Sequence, residues 1–225
     1  MATHRITRIE PQKRRKDRFS IFVDDEFALG VDADLLVEFH LAEGLELDDD
    51  ALAEIRAASE RRRALERAYR LLAARDRSEH EMRTRLREIG FEQAVIEETV
   101  AKLRERGYLN DSRFAVDFAR SQLATHPVGR RELEWRLRQK GLADPIVASA
   151  VETAYGERNE RSLALELAKA RLRRYRNEPD ERKVKKRVAD FLARRGFGWE
   201  IVSEILDQWD SLRSDDTQTS DDDRP

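Results

Sequence analysis

The apolar positions of the chain follow two rhythms. Phe19, Ile21 and Val23 stand at alternate positions, and a second apolar run, Phe27-Ala28-Leu29-Gly30-Val31, follows the polar Asp24-Asp25-Glu26. Two such runs around a polar turn predict a β-hairpin. A hairpin alone is marginal in water, so it must pack on something helical. Asp32 is placed to cap a short helix holding Leu35, Leu36, Val37 and Phe39, and Gly44 breaks the chain before Leu45 and Leu47. Ahead of the hairpin only Ile6 and Ile9 are apolar and Lys13 to Lys16 is a basic run, so residues 1–17 read as a basic flexible arm.

After Asp48 the spacing changes to three and four, the helical period. Asp48-Asp49-Asp50 precedes Ala51, Leu52 and Ile55. No Ca²⁺-loop spacing follows, and acids at a helix N-terminus favour the macrodipole. The stripe runs on through Ala64, Leu65, Ala68, Tyr69 and Leu72, but Ser59 and Arg61–Arg63 interrupt it, so a break there is open. Ser78 with Glu81 forms a capping-box pattern before Met82, Leu86 and Ile89, and Gly90 ends that helix. Val95, Ile96, Val100 and Leu103 make a third helix that stops at Gly107.

This three-helix unit repeats. Leu-x-x-x-Gly and a following apolar residue occur as Leu86…Gly90-Phe91, Leu137…Gly141-Leu142 and Leu192…Gly196-Phe197, with the glycines 51 and 55 residues apart. Such a period in helical sequence means a stack of modules. Asp111 is expected to cap the Phe114 helix and Asp144-Pro145 to open another. The predicted fold is mainly α: tandem, helix-turn-helix-like three-helix modules in an elongated, curved stack, with a small N-terminal β-hairpin extension. The boundaries are an arm at 1–17, the hairpin and short helices at 18–58, modules at 59–109, 110–156 and 157–210, and an acidic tail at 211–225. The Asp-rich, apolar-poor tail is expected to be disordered.

Charge adds blocks to this picture. Residues 24–54 hold twelve acids and no Lys or Arg, 158–197 hold fourteen bases against six acids, and 198–225 hold nine acids against two bases. The net charge of −2 hides these fields, and fields act locally. There is no cysteine, so thiolate metal sites, disulfides and Cys nucleophiles are excluded. The four His residues form no H-E-x-x-H pattern, and no Gly-rich phosphate loop or G-x-S-x-G elbow is present. No catalytic residue, metal site or cofactor is expected. No apolar run is long enough to span a membrane and no secretory signal is read, so a cytoplasmic protein is the expectation.

The remaining chemistry is basic. Arg171, Arg173, Arg174 and Arg176 end one helix of the third module, and Lys183, Lys185, Lys186 and Arg187 follow a short Pro loop. They could form one edge suited to phosphates or to acidic protein patches, or they could be paired internally with nearby acids. The second module offers Arg130, Arg131, Arg136, Arg138 and Lys140. Trp135 and Trp209 fit core stripes, whereas Trp199 after Gly198 reads as exposed.

Arg77-Ser78-Glu79-x-Glu81 and the string Gly107-Tyr108-Leu109-Asn110-Asp111-x-Arg113-Phe114-Ala115 resemble the RecX regulatory proteins of bacteria. Gly129, Leu133, Leu137, Lys140 and Gly141 look like that family's second module, and the likeness spans roughly residues 18–210. The resemblance implies a non-enzymatic protein that binds the RecA recombinase or its filament on single-stranded DNA; no long heptad seam is evident in the sequence, so a monomer is expected. It implies modulation, in the direction of inhibition, of ATPase, strand-exchange and co-protease activities. Contact candidates are Arg113, Arg130, Arg131, Arg138, Arg173, Arg174, Lys185, Lys186 and Arg187. In the matched string, Tyr108 and Phe114 are expected in the core, Asp111 as a cap and Arg113 at the surface. Two other readings stay open: a helical protein that binds DNA directly and competes for single strands, and a general protein-binding scaffold.

Overall fold

The structure, a computed structural model, describes residues 3–13 and 15–218. The chain divides into two compact units, Met1–Asp76 with Met82–Leu109, and Arg77–Glu81 with Asn110–Pro225.

The first unit opens with an antiparallel sheet of four strands, β1 (Thr3–Gln12), β2 (Arg15–Val23), β3 (Glu26–Asp32) and β4 (Glu46–Asp48), in the order β3-β2-β1-β4. The expected hairpin is β2–β3; its turn residues Asp24 and Asp25 both take positive φ, 51° and 68°, as a tight hairpin turn requires. The expected flexible arm is a correction: Thr3–Gln12 is a strand between β2 and β4. A register shift between Ile6 and Arg8 explains why alternation fails there. A bulge resets which residues share a face, so Ile6 is fully buried and Ile9 packs on the same core although they stand three apart.

Helix α1 (Ala33–Glu38) is capped by Asp32, whose carboxylate accepts from Leu35 N at 2.9 Å. Helix α2 (Asp49–Ala74) is capped by Asp48, which accepts from Ala51 N at 2.8 Å, and it runs unbroken through Arg61–Arg63. The interruption in its stripe marks a change of buried face. Leu52, Ile55 and Ala58 belong to the sheet core with Ile6, Ile21, Val31 and Leu35. Ala68 and Leu71 belong to a separate core with Met82, Leu86, Ile96, Val100, Leu103 and Leu109. At 100° per residue those two sets lie on opposite sides of the helix. The second core is closed by α3 (Glu79–Ile89) and α4 (Gln93–Glu105).

The second unit contains α5 (Asp111–Thr125), α6 (Arg130–Gln139), α7 (Asp144–Glu157), α8 (Glu160–Leu172), a 3-10 turn (Arg173–Tyr175), α9 (Glu181–Arg194), α10 (Trp199–Asp207) and α11 (Trp209–Gln218). One continuous core joins both of its three-helix modules, from Ala115 to Leu212. The expected tail is therefore corrected at its start. Ser211–Gln218 lies in α11, held by the buried Trp209 and Leu212, and residues 219–225 lie outside the described residues.

Gly90, Gly141 and Gly196 all take positive φ, as the repeated Leu-x-x-x-Gly predicts. Two caps shift by one residue. Asn110, not Asp111, caps α5 by accepting from Arg113 N, and Ala143 is the N-cap of α7. Asp111 instead accepts from Glu79 N at 2.9 Å, closing the first turn of α3. Ser78 is fully buried; its Oγ accepts from Glu81 N and donates to Lys140 O, while Lys140 Nζ pairs with Glu81 at 2.8 Å. Gly129 lies against the α9–α10 corner, where its N donates to Arg195 O at 2.8 Å.

Candidate partner-binding surface

The expected contact residues fall into two chemical groups. In the second module Arg130 pairs with Glu152 and with Glu160 at 3.1 Å, and its guanidinium lies 5.0 Å from the Tyr155 ring centre. The hydrogen bond to Glu152 holds its pKa above the ordinary arginine value. Arg138 is raised by its bond to Asp144 at 2.9 Å and also pairs with Glu134 at 3.3 Å. These two cations tie helices together. Arg131 is exposed, and its side chain makes no ion pair or hydrogen bond with any described residue. Arg113 is exposed and engaged within the molecule.

The third module repeats the division. Glu178, in the Pro loop, pairs with Lys183 at 2.8 Å and Arg187 at 3.5 Å, and the Lys183 bond holds its carboxyl below the ordinary value. Lys185 pairs with Glu181 at 2.8 Å, lowering that carboxyl too, and lies over the Trp209 ring. Arg171 and Arg187 both stack on Tyr175, at 5.4 and 5.2 Å. The two basic clusters thus meet across the loop, but through an aromatic ring and a carboxylate that consume part of their charge. Arg173 is exposed and engaged. Arg174 and Lys186 are exposed without an ion-pair partner among the described residues. Of the nine candidates, then, Arg131, Arg174 and Lys186 are the cations whose charge is uncommitted.

The aromatic expectations divide as well. Trp209 is buried at 2% and Trp199 is exposed at 69%, but Trp135, expected in the core, is 54% exposed. Tyr108 is corrected too: it is 53% exposed and meets Tyr69 edge-on at 5.1 Å, while its neighbour Leu109 fills the core. Phe114 is half-buried and stacks on Phe118. A basic line on α2, formed by the exposed Arg56, Arg63 and Arg67, was not anticipated. Its spacing of seven and four residues is the available signal. Among the described residues no group of His, Asp and Glu is arranged to hold a metal ion, and no helix is long and apolar enough to cross a membrane.

Four family models match consecutive segments: the regulatory protein RecX N-terminal domain over residues 4–48, and the first, second and third RecX three-helix domains over 64–108, 110–151 and 159–206. The regulatory protein RecX of Bacillus subtilis (strain 168) is 33% identical over 213 residues, covering 95% of this chain and 80% of that protein. That of Limosilactobacillus reuteri (strain DSM 20016) is 31% identical over 204 residues, covering 91% and 76%. A crystal structure of regulatory protein RecX aligns with a TM-score of 0.71 at 31% identity, over 91% of this chain and 99% of that one. RecX from Lactobacillus salivarius, at 23% identity and a TM-score of 0.62 over 68% of this chain and 98% of that one, shares the fold. With its N-terminal sheet, its three successive three-helix domains and relatives that match nearly its whole length, the chain belongs to the RecX family of regulatory proteins.

Proposed function

We propose that this chain is a non-catalytic regulator of the recombinase RecA that docks on the RecA filament on single-stranded DNA. It acts as a monomer in the cytoplasm and restrains the filament's ATPase, strand-exchange and co-protease activities. The observation that carries this reading is the ordered succession of four RecX domains between residue 4 and residue 206. The relatives are named regulatory proteins, and regulation through binding needs surfaces rather than reacting groups. Arg131, Arg174 and Lys186 supply uncommitted positive charge for the carboxylates or phosphates of such a filament. Their paired neighbours hold the helices that present them.

The test is RecA's ATP hydrolysis on single-stranded DNA, titrated with this chain below one copy per RecA. Suppression at ratios well below one copy per RecA is the expected result. An unaffected hydrolysis rate would overturn the reading. A second reading, direct competition for single strands, is favoured by the same uncommitted cations. It predicts suppression only when enough of the chain is present to cover the strand.

A further inference from the structure

Helix α6 carries an aromatic residue that its own packing does not use. Leu133 and Leu137 are fully buried, and they fix which side of the helix faces the core. At 100° per residue, Arg131, Trp135 and Arg138 fall within about 60° of one another on the opposite side. Trp135 is 54% exposed there. Neither the Trp135 nor the Arg131 side chain makes a hydrogen bond, ion pair or ring contact with any described residue, so the exposed part of each is open to a ligand. The rest of that face is polar: Glu134, Arg138 and Gln139, with Arg138 held by Asp144 and Glu134.

This setting discriminates between occupants. A tryptophan that anchors a protein interface sits among apolar contacts that exclude water. Trp135 has no aliphatic neighbour on its helix face, and the cation one turn before it lacks a carboxylate. An isolated ring next to a free guanidinium is the arrangement that stacks an unpaired base and neutralises its phosphate. A duplex, whose bases are already stacked, cannot use the ring in this way.

We propose that the Arg131–Trp135 face of α6 is a binding site for single-stranded nucleic acid, with one base stacked on the Trp135 indole and an adjoining phosphate on Arg131. The site belongs to the chain alone and needs no recombinase, so it stands or falls separately from the regulatory reading above.

The experiment measures binding of the full chain to a short fluorescent oligothymidylate, to an abasic strand of the same length and to the matching duplex, without RecA, over a series of salt concentrations. The expected result is tighter binding to the oligothymidylate than to the other two. Trp135→Ala should weaken oligothymidylate binding about tenfold and leave the abasic strand unchanged, since one stacked base contributes about that factor. Trp135→Phe should recover most of the loss. Arg131→Gln should weaken both single strands and reduce the slope of log affinity against log salt by about 0.7. Trp199→Ala serves as the comparison: that indole is more exposed but has Glu200 and Ser203 rather than arginine on its helix, and the change should stay within twofold. Absence of binding, equal affinity for the thymidylate and abasic strands, or an unaltered Trp135→Ala variant would each overturn the proposal. Loss of docking on a RecA filament with bare-strand affinity unchanged would also overturn it, and would assign Trp135 to a protein contact instead.

Discussion

Gly129 shows how much of this fold rests on single backbone contacts. A Cβ placed on it would lie 2.3 Å from the Gly196 backbone, and one on Gly196 would lie 2.5 Å from Glu132. Neither obstacle is a flexible side-chain tip, so the corner cannot yield without moving α6. Gly129→Ala should therefore cost at least about 2 kcal/mol, read as a lowered urea midpoint. Gly156→Ala is the counterpart: nothing lies within 4 Å of its added methyl, and its helical position favours alanine. That variant should gain about 0.5–1 kcal/mol; equal responses at the two sites would refute the contact argument. The left-handed glycines at 90, 141 and 196 were legible from one repeated string, because the conformation is local. The Gly129–Gly196 approach was not, because it joins residues far apart in sequence. The string at 107–115 shows the same limit. Its spacing points to a helix start, but only the fold shows that Asn110 caps α5 while Asp111 satisfies the first turn of α3. Asp111→Ala should cost about 1 kcal/mol by thermal or urea unfolding, as loss of a cap does.

At the scale of elements, α2 and β1 are where the periodic reading went astray, and each for a geometric reason. The stripe on α2 is not weak midway; it ends on one side and resumes on the other, because the helix serves two cores. The bulge in β1 removes the alternation by which a strand is recognised. That strand is also tied down by charge. His4 Nδ1 lies 2.8 Å from Asp24 in the hairpin turn and Nε2 lies 3.0 Å from Asp49 at the start of α2. Two carboxylates can be served together only by the doubly protonated ring. The bond to Asp24, then that to Asp49, raises the His4 pKa above 6.5, and the bonds from Arg5 N and His4 lower Asp24 below 3.8. The sign follows from linkage. The histidine's contribution is complete below its unfolded value and fades as pH rises through the raised one. The Asp24 contribution is present above its own unfolded value and fades as pH falls through the lowered one. Stability of the first unit should thus decline from pH 6 to pH 8 by an increment that His4→Asn lacks. Parallel pH profiles for the two proteins, read from denaturant midpoints, would show the clamp to be inert.

For the whole molecule, the blocks of charge turn out to be spent unevenly. The acidic stretch at 24–54 works inside the first unit: Asp32, Asp34 and Glu38 all accept from Arg62, Glu43 accepts from Ile9 N, and Asp24 and Asp49 hold His4. The basic stretch at 158–197 is partly neutralised by Glu178 and Glu181. Counting charges along the sequence finds both blocks but cannot separate committed from uncommitted cations, since that depends on which helix turns face each other. The distinction has a direct consequence for the third module. Arg174→Gln with Lys186→Gln removes charge that no described carboxylate uses, so stability should not change. Lys185→Gln with Arg187→Gln strips partners from Glu181 and Glu178, together with the cations over Trp209 and Tyr175. Exposed pairs of this kind contribute little each, so that second variant should melt at most a few degrees lower. Binding should show the reverse order. The first variant should weaken association with a RecA–single-stranded DNA filament and flatten its salt dependence, because free cations release counterions on contact. The second should bind with a nearly unchanged salt slope once compared below its melting transition. Equal salt slopes for the two variants would mean that charge count, rather than pairing, governs this edge.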